Sequence, residues 1–163
     1  MQKKGGYAPM ERAHTDHLPE GLVSGILNER RDVYNPVYFY GDPCAAAELT
    51  DRLARAYALK FPGRKTVRVR GADFVRDMIR CMREDSLRKF ETRFCHADLL
   101  VMEDIEALAG NEFAMQVFYG LFDRIYEAGG QIVATGLHAP ADIPALEDRV
   151  RTQLLGGVIC RVG

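Results

Sequence analysis

Residues 37–50 constrain the fold of this chain more than any other part of the sequence. An apolar run at 37–40 leads into a short turn at 41–44, and good helix formers then continue from 45 to 59. A buried strand, a tight loop and the first turn of a long helix form the architecture of a phosphate-binding P-loop. The stretch therefore predicts an α/β domain with this strand at the centre of its sheet.

The groups that bind phosphate are nevertheless missing from this loop. A P-loop needs glycines whose backbone N–H groups close on phosphate oxygens, a Lys for the outer phosphates and a hydroxyl for Mg²⁺. Here the Lys position is Ala47 and the hydroxyl position is Glu48, whose carboxylate would repel a polyphosphate. Consecutive alanines favour helix over loop, so we expect the helix to extend backward and close the loop. The degenerate phosphate loop comprises Gly41, Asp42, Pro43, Cys44, Ala45, Ala46, Ala47 and Glu48.

The rest of the sequence alternates apolar runs with helical patterns. The runs predict further strands at 99–102, 131–135 and 157–162, and the alternation of apolar and polar residues predicts one at 66–70 with one face toward solvent. Helical spacing of apolar residues predicts helices at 19–31, 72–83, 86–94, 111–128 and 145–154. This order predicts an α/β fold with a mainly parallel five-stranded sheet and helices on both faces.

Length and composition fit a single domain. With 163 residues, 47% of them apolar, and a net charge of −1, the chain can bury a sizeable core as one soluble unit. Residues 1–18 are polar and aperiodic and predict a flexible lead-in, which leaves 19–163 as the core domain. No apolar run is long enough to cross a bilayer, so we expect a cytoplasmic protein without membrane contacts. The four cysteines have no metal-ligand spacing, although Cys44 near a helix N-terminus leaves a reactive thiol as an alternative.

Polar residues follow several of the predicted strands. In a parallel sheet, ligands bind beyond the carboxyl ends of the strands, which places residues 41–47, Glu103-Asp104 and Thr135-Gly136 at one rim. With these residues in place, the chain resembles the AAA+ ATPase core of the bacterial replication initiator DnaA and its short relatives, Hda and the DnaC-type helicase loaders. The resemblance covers residues 35–162. It is densest at 35–41, 74–79, 97–105 and 146–151.

The resemblance implies a P-loop ATPase site, but the sequence departs from the family at the catalytic positions. Family members carry Gly-x-x-Gly-x-Gly-Lys-Thr in the loop, of which only Gly41 is retained. The acidic pair is Glu103 and Asp104, with Glu in place of the family's metal-binding Asp. The family's polar sensor positions are Leu137 and His138.

Two further parts of the family's machinery are expected to be missing. The arginine-finger position is Gln153, and the family's helical lid would follow Gly163. Phosphoryl transfer depends on positioning and charge neutralisation by these groups. We therefore expect no catalytic residues, no metal ion and no cofactor, with Glu103 and Asp104 vestigial. ATP and Mg²⁺ are expected only if the degenerate site is rescued.

The resemblance also implies a nucleic-acid surface on the two basic helices at 72–83 and 86–94, because the corresponding helices of DnaA contact single-stranded DNA. Residues 64–93 carry ten Lys or Arg against five Asp or Glu. A solvated charged helix face is the alternative. The nucleic-acid candidates are Arg76, Ile79, Arg80, Arg83, Arg88 and Lys89.

Arg149 and Arg151 are the candidates for contact with a partner, as similar arginines are in the family. Salt bridges with Glu147 or Asp148 within the chain are the alternative.

Three functions follow from these expectations. The leading hypothesis is a non-hydrolysing, DnaA-like pseudo-ATPase that acts through contacts with a DnaA-type initiator or another AAA+ replication protein. The second is a module that binds single-stranded nucleic acid through the basic helices. The third is an ATP-binding protein whose missing groups come from a partner subunit.

Overall fold

The computed structural model describes residues 14–15 and 21–163 of the chain. Its strands form one parallel sheet with the order β1-β6-β2-β5-β4-β3. They are β1 (His14–Thr15), β2 (Val37–Gly41), β3 (Thr66–Arg70), β4 (Leu99–Glu103), β5 (Gln131–Gly136) and β6 (Val158–Val162). The predicted five-stranded parallel sheet is confirmed, and β1 adds a two-residue strand at its edge. β1 lies in the segment predicted as a flexible lead-in, whose residues 1–13 and 16–18 are outside the described residues.

Helices connect the strands. They are α1 (Leu22–Leu27), α2 (Pro43–Lys60), α3 (Gly71–Arg83), α4 (Leu87–Cys95), α5 (Glu112–Glu127) and α6 (Asp148–Leu155), with 3₁₀ turns at Ile105–Leu108 and Pro140–Asp142. No helix in the described part of the chain is long and apolar enough to cross a membrane.

Two helices are shorter than predicted. Within the described residues, the helix predicted at 19–31 ends at Leu27, and Glu29 just beyond it has φ 60°. The helix predicted at 145–154 begins only at Asp148, because Ala145 has φ 61°. Both φ values are left-handed, so neither residue can continue a right-handed helix.

The two faces of the sheet carry separate apolar cores. Val37 and Phe39 of β2 join Leu49 and Leu53 of α2 in one core. Tyr38, which lies between them in sequence, belongs to the other core, formed with α3 to α6. Since successive strand residues point to opposite faces, β2 is buried on both sides. The strand leading to the candidate site is thus the centre of the fold.

Aromatic contacts hold α3 and α4 together as a pair. Phe74 of α3 contacts Phe90 and Phe94 of α4, with ring centroids 5.0 Å and 5.4 Å apart, and Phe118 of α5 at 6.3 Å. Edge-to-face and tilted rings at these distances stabilise the packing by more than their buried area alone provides. The basic helices are therefore fixed on the core and are not a loose appendage.

Candidate functional site

The loop after β2 is short because α2 begins early. Asp42 is the N-cap residue directly after β2, and Pro43 is the first residue of the helix. The Asp42 carboxylate accepts a hydrogen bond from the backbone N–H of Ala45 at 3.1 Å, and its carbonyl accepts one from Ala46 at 3.0 Å. Asp is a favoured cap and Pro is preorganised for the first helical position. The backward extension expected from the alanine run is therefore present, and residues 43–48 all belong to the helix.

Gly41, the family glycine that remains, has a structural reason to be glycine. Its backbone φ is 121°, and a Cβ here would lie 2.4 Å from the carbonyl oxygen of Val162 in β6. The backbone N–H of Asp42 donates to the same oxygen at 3.1 Å. Both the conformation and the close approach require glycine. The packing of β2 against β6 is thus sufficient to explain the residue.

Arg68 of β3 binds the acid at the family's metal-binding position. Its Nε donates to Oε2 of Glu103 at 2.7 Å, and its Nη1 donates to Oδ1 of Asp51 at 2.9 Å. Its Nη2 lies 3.3 Å from Oε1 of Glu103 and 3.3 Å from Oγ1 of Thr50. Hydrogen bonding to Glu103 raises the pKa of the Arg68 guanidinium, which stays positively charged. An ion pair therefore links the end of β4 to α2.

Asp104, the second acid, adopts a left-handed conformation with φ 57°. Its backbone N–H donates to Oγ1 of Thr135 at 3.2 Å, and its carboxylate lies 3.4 Å from Nη2 of Arg70. Gly71 lets this turn approach α3, because a Cβ there would lie 2.4 Å from the Asp104 carbonyl oxygen. The acids, Thr135 and the start of α2 meet at the carboxyl ends of the strands, where sequence reasoning placed them.

Sequence reasoning missed Arg68 and Arg70. Their alternation with apolar residues predicted a strand with one face toward solvent, and the sequence does not state which strand lies beside it. In the structure β3 pairs with β4, and Arg70 is the register partner of Glu103. Two arginines at alternate positions of one strand and two acids at the end of another were the signal that points to this cluster.

The segment after β5 is held by Glu106 and Tyr38. Oε2 of Glu106 accepts hydrogen bonds from the backbone N–H groups of Leu137 at 2.7 Å and His138 at 3.0 Å. The Tyr38 hydroxyl donates to the His138 carbonyl at 2.6 Å, and burial, together with Glu106, raises the pKa of that hydroxyl. A Cβ on Gly136 would lie 2.0 Å from the Tyr38 oxygen. The former sensor positions thus form a fixed turn, with the Leu137 side chain half exposed.

These groups surround a pocket of about 340 Å³. The pocket is lined by Pro43, Ala46, Ala47, Arg68, Arg70, Glu103, Asp104, Thr135, Gly136 and Leu137. This lining does not fit a triphosphate with its magnesium ion, because the Ala45 N–H bonds to the Asp42 carboxylate and Glu103 bonds to Arg68. No group of three or more His, Cys, Asp or Glu side chains within the described ranges could hold a metal ion.

Comparison with known proteins identifies the family. The family model of the bacterial DnaA ATPase domain matches residues 17–161. The chain belongs to this family. The predicted resemblance to DnaA is confirmed.

Related initiators match this DnaA-family domain over most of its length. The chromosomal replication initiator protein DnaA of Deinococcus radiodurans is 32% identical over 145 residues, which cover 88% of this chain and 31% of that protein. DnaA of Thermus thermophilus is 32% identical over 127 residues, covering 77% and 29% respectively. The domain spans about a third of the length of these curated relatives.

Solved structures confirm the predicted AAA+ fold of the DnaA-family domain. Domain III of the Thermotoga maritima replication initiation protein DnaA matches with a TM-score of 0.81 at 16% identity, covering 94% of this chain and 66% of that one. A DnaC helicase loader matches with a TM-score of 0.68 at 14% identity, covering 96% and 100%.

Several arginines of the DnaA-family domain's basic helices surround one acid. The carboxylate of Asp77 on α3 lies 3.5 Å from guanidinium nitrogens of Arg76, Arg80 and Arg93. The Asp77 side chain is 13% exposed, whereas these arginines are largely exposed. Part of the positive charge of the predicted nucleic-acid surface is thus balanced within the domain.

The other nucleic-acid candidates lie around the turn that joins α3 to α4. Ile79 is 37% exposed, and Met82, which sequence reasoning did not single out, is 46% exposed. Arg83 ends α3, and Arg88 and Lys89 lie in the first turn of α4; all three are exposed. The hairpin therefore presents apolar and basic side chains together.

The two partner-contact candidates differ in their environment. Arg151 donates to the carbonyl oxygens of Pro140 at 2.5 Å and Leu146 at 2.7 Å, so its guanidinium supports the segment before α6. Arg149 pairs with Glu147, which raises the pKa of the Arg149 guanidinium. The Arg149 side chain is 55% exposed, so it is the more accessible candidate.

Proposed function

We propose that this DnaA-family domain is a pseudo-ATPase that acts through protein contacts in the initiation of DNA replication or in its regulation. The observation that carries the proposal is the start of α2 at Pro43, with the carboxylate of Asp42 at its N-cap. A helix N-terminus attracts anions through its exposed N–H groups. Here the chain's own carboxylate takes that position, and a polyphosphate would meet a like charge.

The proposed partner is a DnaA-type initiator or another AAA+ replication protein of the cytoplasm. Support comes from the fold, which matches a DnaA domain over 94% of the chain and a DnaC helicase loader over 96%. Arg149, exposed beside the ring of Tyr119 at 4.4 Å, is the first residue to test at the contact.

Titration of the purified domain with a fluorescent ATP analogue and Mg²⁺ tests the loss of the ATPase site. We expect no saturable binding up to about 1 mM nucleotide. A dissociation constant of about 1 mM corresponds to only about 4 kcal/mol of binding free energy. Phosphate release should equal that of buffer. A full-length DnaA measured in parallel controls for the quality of the reagents.

The same titration separates the other outcomes. Micromolar binding or turnover by the domain alone would overturn the proposal. Turnover in a mixture with a full-length initiator that exceeds the turnover of the initiator alone would support an ATP-binding protein completed by its partner. Capture of that initiator by the immobilised domain, equal with and without ATP, is the expected positive result, and Arg149→Ala should weaken it. No capture under either condition would contradict the proposed partner.

A second candidate function is the binding of single-stranded DNA by the α3–α4 hairpin. The exposed Ile79 and Met82 beside Arg83 favour it, because single-strand sites combine apolar contacts with basic side chains. One structural neighbour, with a TM-score of 0.76 at 21% identity, is a replication initiator bound to AMPPCP and single-stranded DNA.

Fluorescence anisotropy with a labelled oligothymidine at several salt concentrations tests this candidate. Binding should weaken steeply with salt and be lost in Arg80→Ala plus Arg83→Ala. Asp77→Asn is the opposing variant: it removes the acid beside three arginines and should tighten binding several-fold. Absence of salt-sensitive binding in both the wild type and Asp77→Asn would exclude the candidate.

A further inference from the structure

We propose that Arg68 is the resident cation of the degenerate phosphate site, an internal substitute for a bound ion that fastens α2 to the end of β4 without any ligand. This inference rests on the proposed function and adds how the site is kept in one state. Because this contact forms without a ligand, the domain would keep the same conformation in the presence and absence of nucleotide.

The guanidinium of Arg68 is surrounded by oxygen atoms. Its nitrogens contact the carboxylates of Glu103 and Asp51, the hydroxyl of Thr50 and, at 3.5 Å, the backbone carbonyl of Ala47. All of these acceptors are oxygens, and carboxylate, hydroxyl and carbonyl oxygens are the ligands that hard divalent cations prefer. The guanidinium therefore occupies an oxygen-lined position suited to a cation.

The contacts of Arg68 join two positions of the family's nucleotide site. Ala47 is the position of the family's phosphate-binding Lys, and Glu103 is the position of its metal-binding acid. Arg68 touches both, yet it comes from β3 and not from α2. A single side chain thus bridges the two parts of the former site, and it cannot dissociate as a bound ion does.

The two acids that contact Arg68 differ in their exposure and in their other ion pairs. Asp51 also pairs with Arg55 at 2.9 Å, but that pair is exposed, with 78% of the Arg55 side chain open to solvent. The Glu103 side chain is only 14% exposed, and Arg68 supplies its ion pair. Since a largely buried carboxylate without a partner is costly, loss of Arg68 should leave Glu103 needing another cation.

Thermal unfolding of Arg68→Met in nucleotide-free buffer tests the inference. Methionine keeps an apolar stem but removes the charge. We expect the Tm to fall by roughly 5 °C or more, as loss of a partly buried ion pair in a chain of this size implies. About 10 mM MgCl₂ or CaCl₂ should restore part of that fall, whereas NaCl at the same ionic strength should not.

Three variants serve as controls. Arg55→Met removes the exposed arginine from the same Asp51, so its Tm should change by no more than about 1 °C and show no divalent response. Arg68→Met combined with Glu103→Gln should lose the response, because the acid that would bind the ion is neutral. Arg68→Lys keeps the charge and should lie between the wild type and Arg68→Met.

Each outcome decides the inference. An unchanged Tm in Arg68→Met, or a fall without a divalent response, would overturn it. If Arg68→Met does not fold, the double variant with Glu103→Gln must fold and be the more stable protein, and its failure would equally count against the inference. ATP binding by the wild type would overturn the proposed function. The effect of divalent ions on the Tm of Arg68→Met is measured without nucleotide, so it would still test the inference about Arg68.

Discussion

The carboxylate of Asp42 accepts a hydrogen bond from the backbone N–H of Ala45 at 3.1 Å, so the chain supplies its own anion to the N-terminus of α2. Capping of this kind stabilises a helix by about 1 kcal/mol relative to an uncapped start. It also occupies the Ala45 N–H, an amide that a phosphate loop would offer to a ligand. The proposed loss of the phosphate loop would therefore be one of backbone as well as of side chains.

Restoring the two missing side chains should consequently not restore ATP binding. In Ala47→Lys plus Glu48→Thr, α2 would still begin at Pro43 and Arg68 would still occupy Glu103. We expect the fluorescent ATP analogue to show no saturable binding below about 1 mM. Ala58→Lys, an exposed site on the same helix, controls for the added positive charge. Micromolar binding by the double variant alone would show that the loss was limited to two side chains.

Gly41→Ala should destabilise the domain by about 2 kcal/mol or more, because a backbone carbonyl and a left-handed φ both oppose a Cβ. Gly63 is the matched control: it is exposed and a Cβ there would meet no atom within 4 Å. Gly63→Ala should raise the free energy of unfolding by about 0.5 to 1 kcal/mol, because alanine lowers the entropy of the unfolded chain. Urea unfolding followed by circular dichroism measures both, and equal effects would contradict the packing argument.

The sequence predicts the parts of this structure that depend on local patterns. Apolar runs marked β2, β4, β5 and β6, alternation marked β3, and the alanine run indicated the early start of α2, since strand burial and helix propensity act over a few residues. The pairing of Arg68 with Glu103 was not predictable in this way, because it depends on β3 and β4 being neighbours in the sheet. The late start of α6 was missed because nothing marks Ala145 as left-handed.

Gly136 and Tyr38 should be energetically coupled. Gly136→Ala places a Cβ 2.0 Å from the Tyr38 hydroxyl oxygen and should cost about 3 kcal/mol. Tyr38→Phe alone should cost about 1 kcal/mol through loss of the hydrogen bond to His138. The double variant should be more stable than the sum of these costs by about 1 kcal/mol or more, because Phe removes the nearest clashing atom and leaves the Glu106 oxygens at 2.8 and 2.9 Å. Additive costs in a denaturant-based double-mutant cycle would show that the clash is relieved elsewhere.

Ala145→Gly should stabilise the domain. Ala145 is exposed and has φ 61°, a conformation that costs a Cβ-bearing residue about 1 kcal/mol and glycine very little. Its carbonyl accepts a hydrogen bond from the N–H of Gly110 at 3.2 Å, which holds the conformation in place. We expect a gain of about 0.5 kcal/mol after the entropy of an unfolded glycine is counted.

Ala141→Gly is the matched control for that gain. Ala141 is also exposed and lies four residues earlier, in the 3₁₀ turn Pro140–Asp142, where its φ is not left-handed. Glycine there relieves no strain and adds only unfolded-state entropy, so the domain should lose about 0.5 to 1 kcal/mol. Urea unfolding should therefore give changes of opposite sign for the two variants. A loss of stability in both would mean that the left-handed turn at Ala145 carries no strain for glycine to relieve.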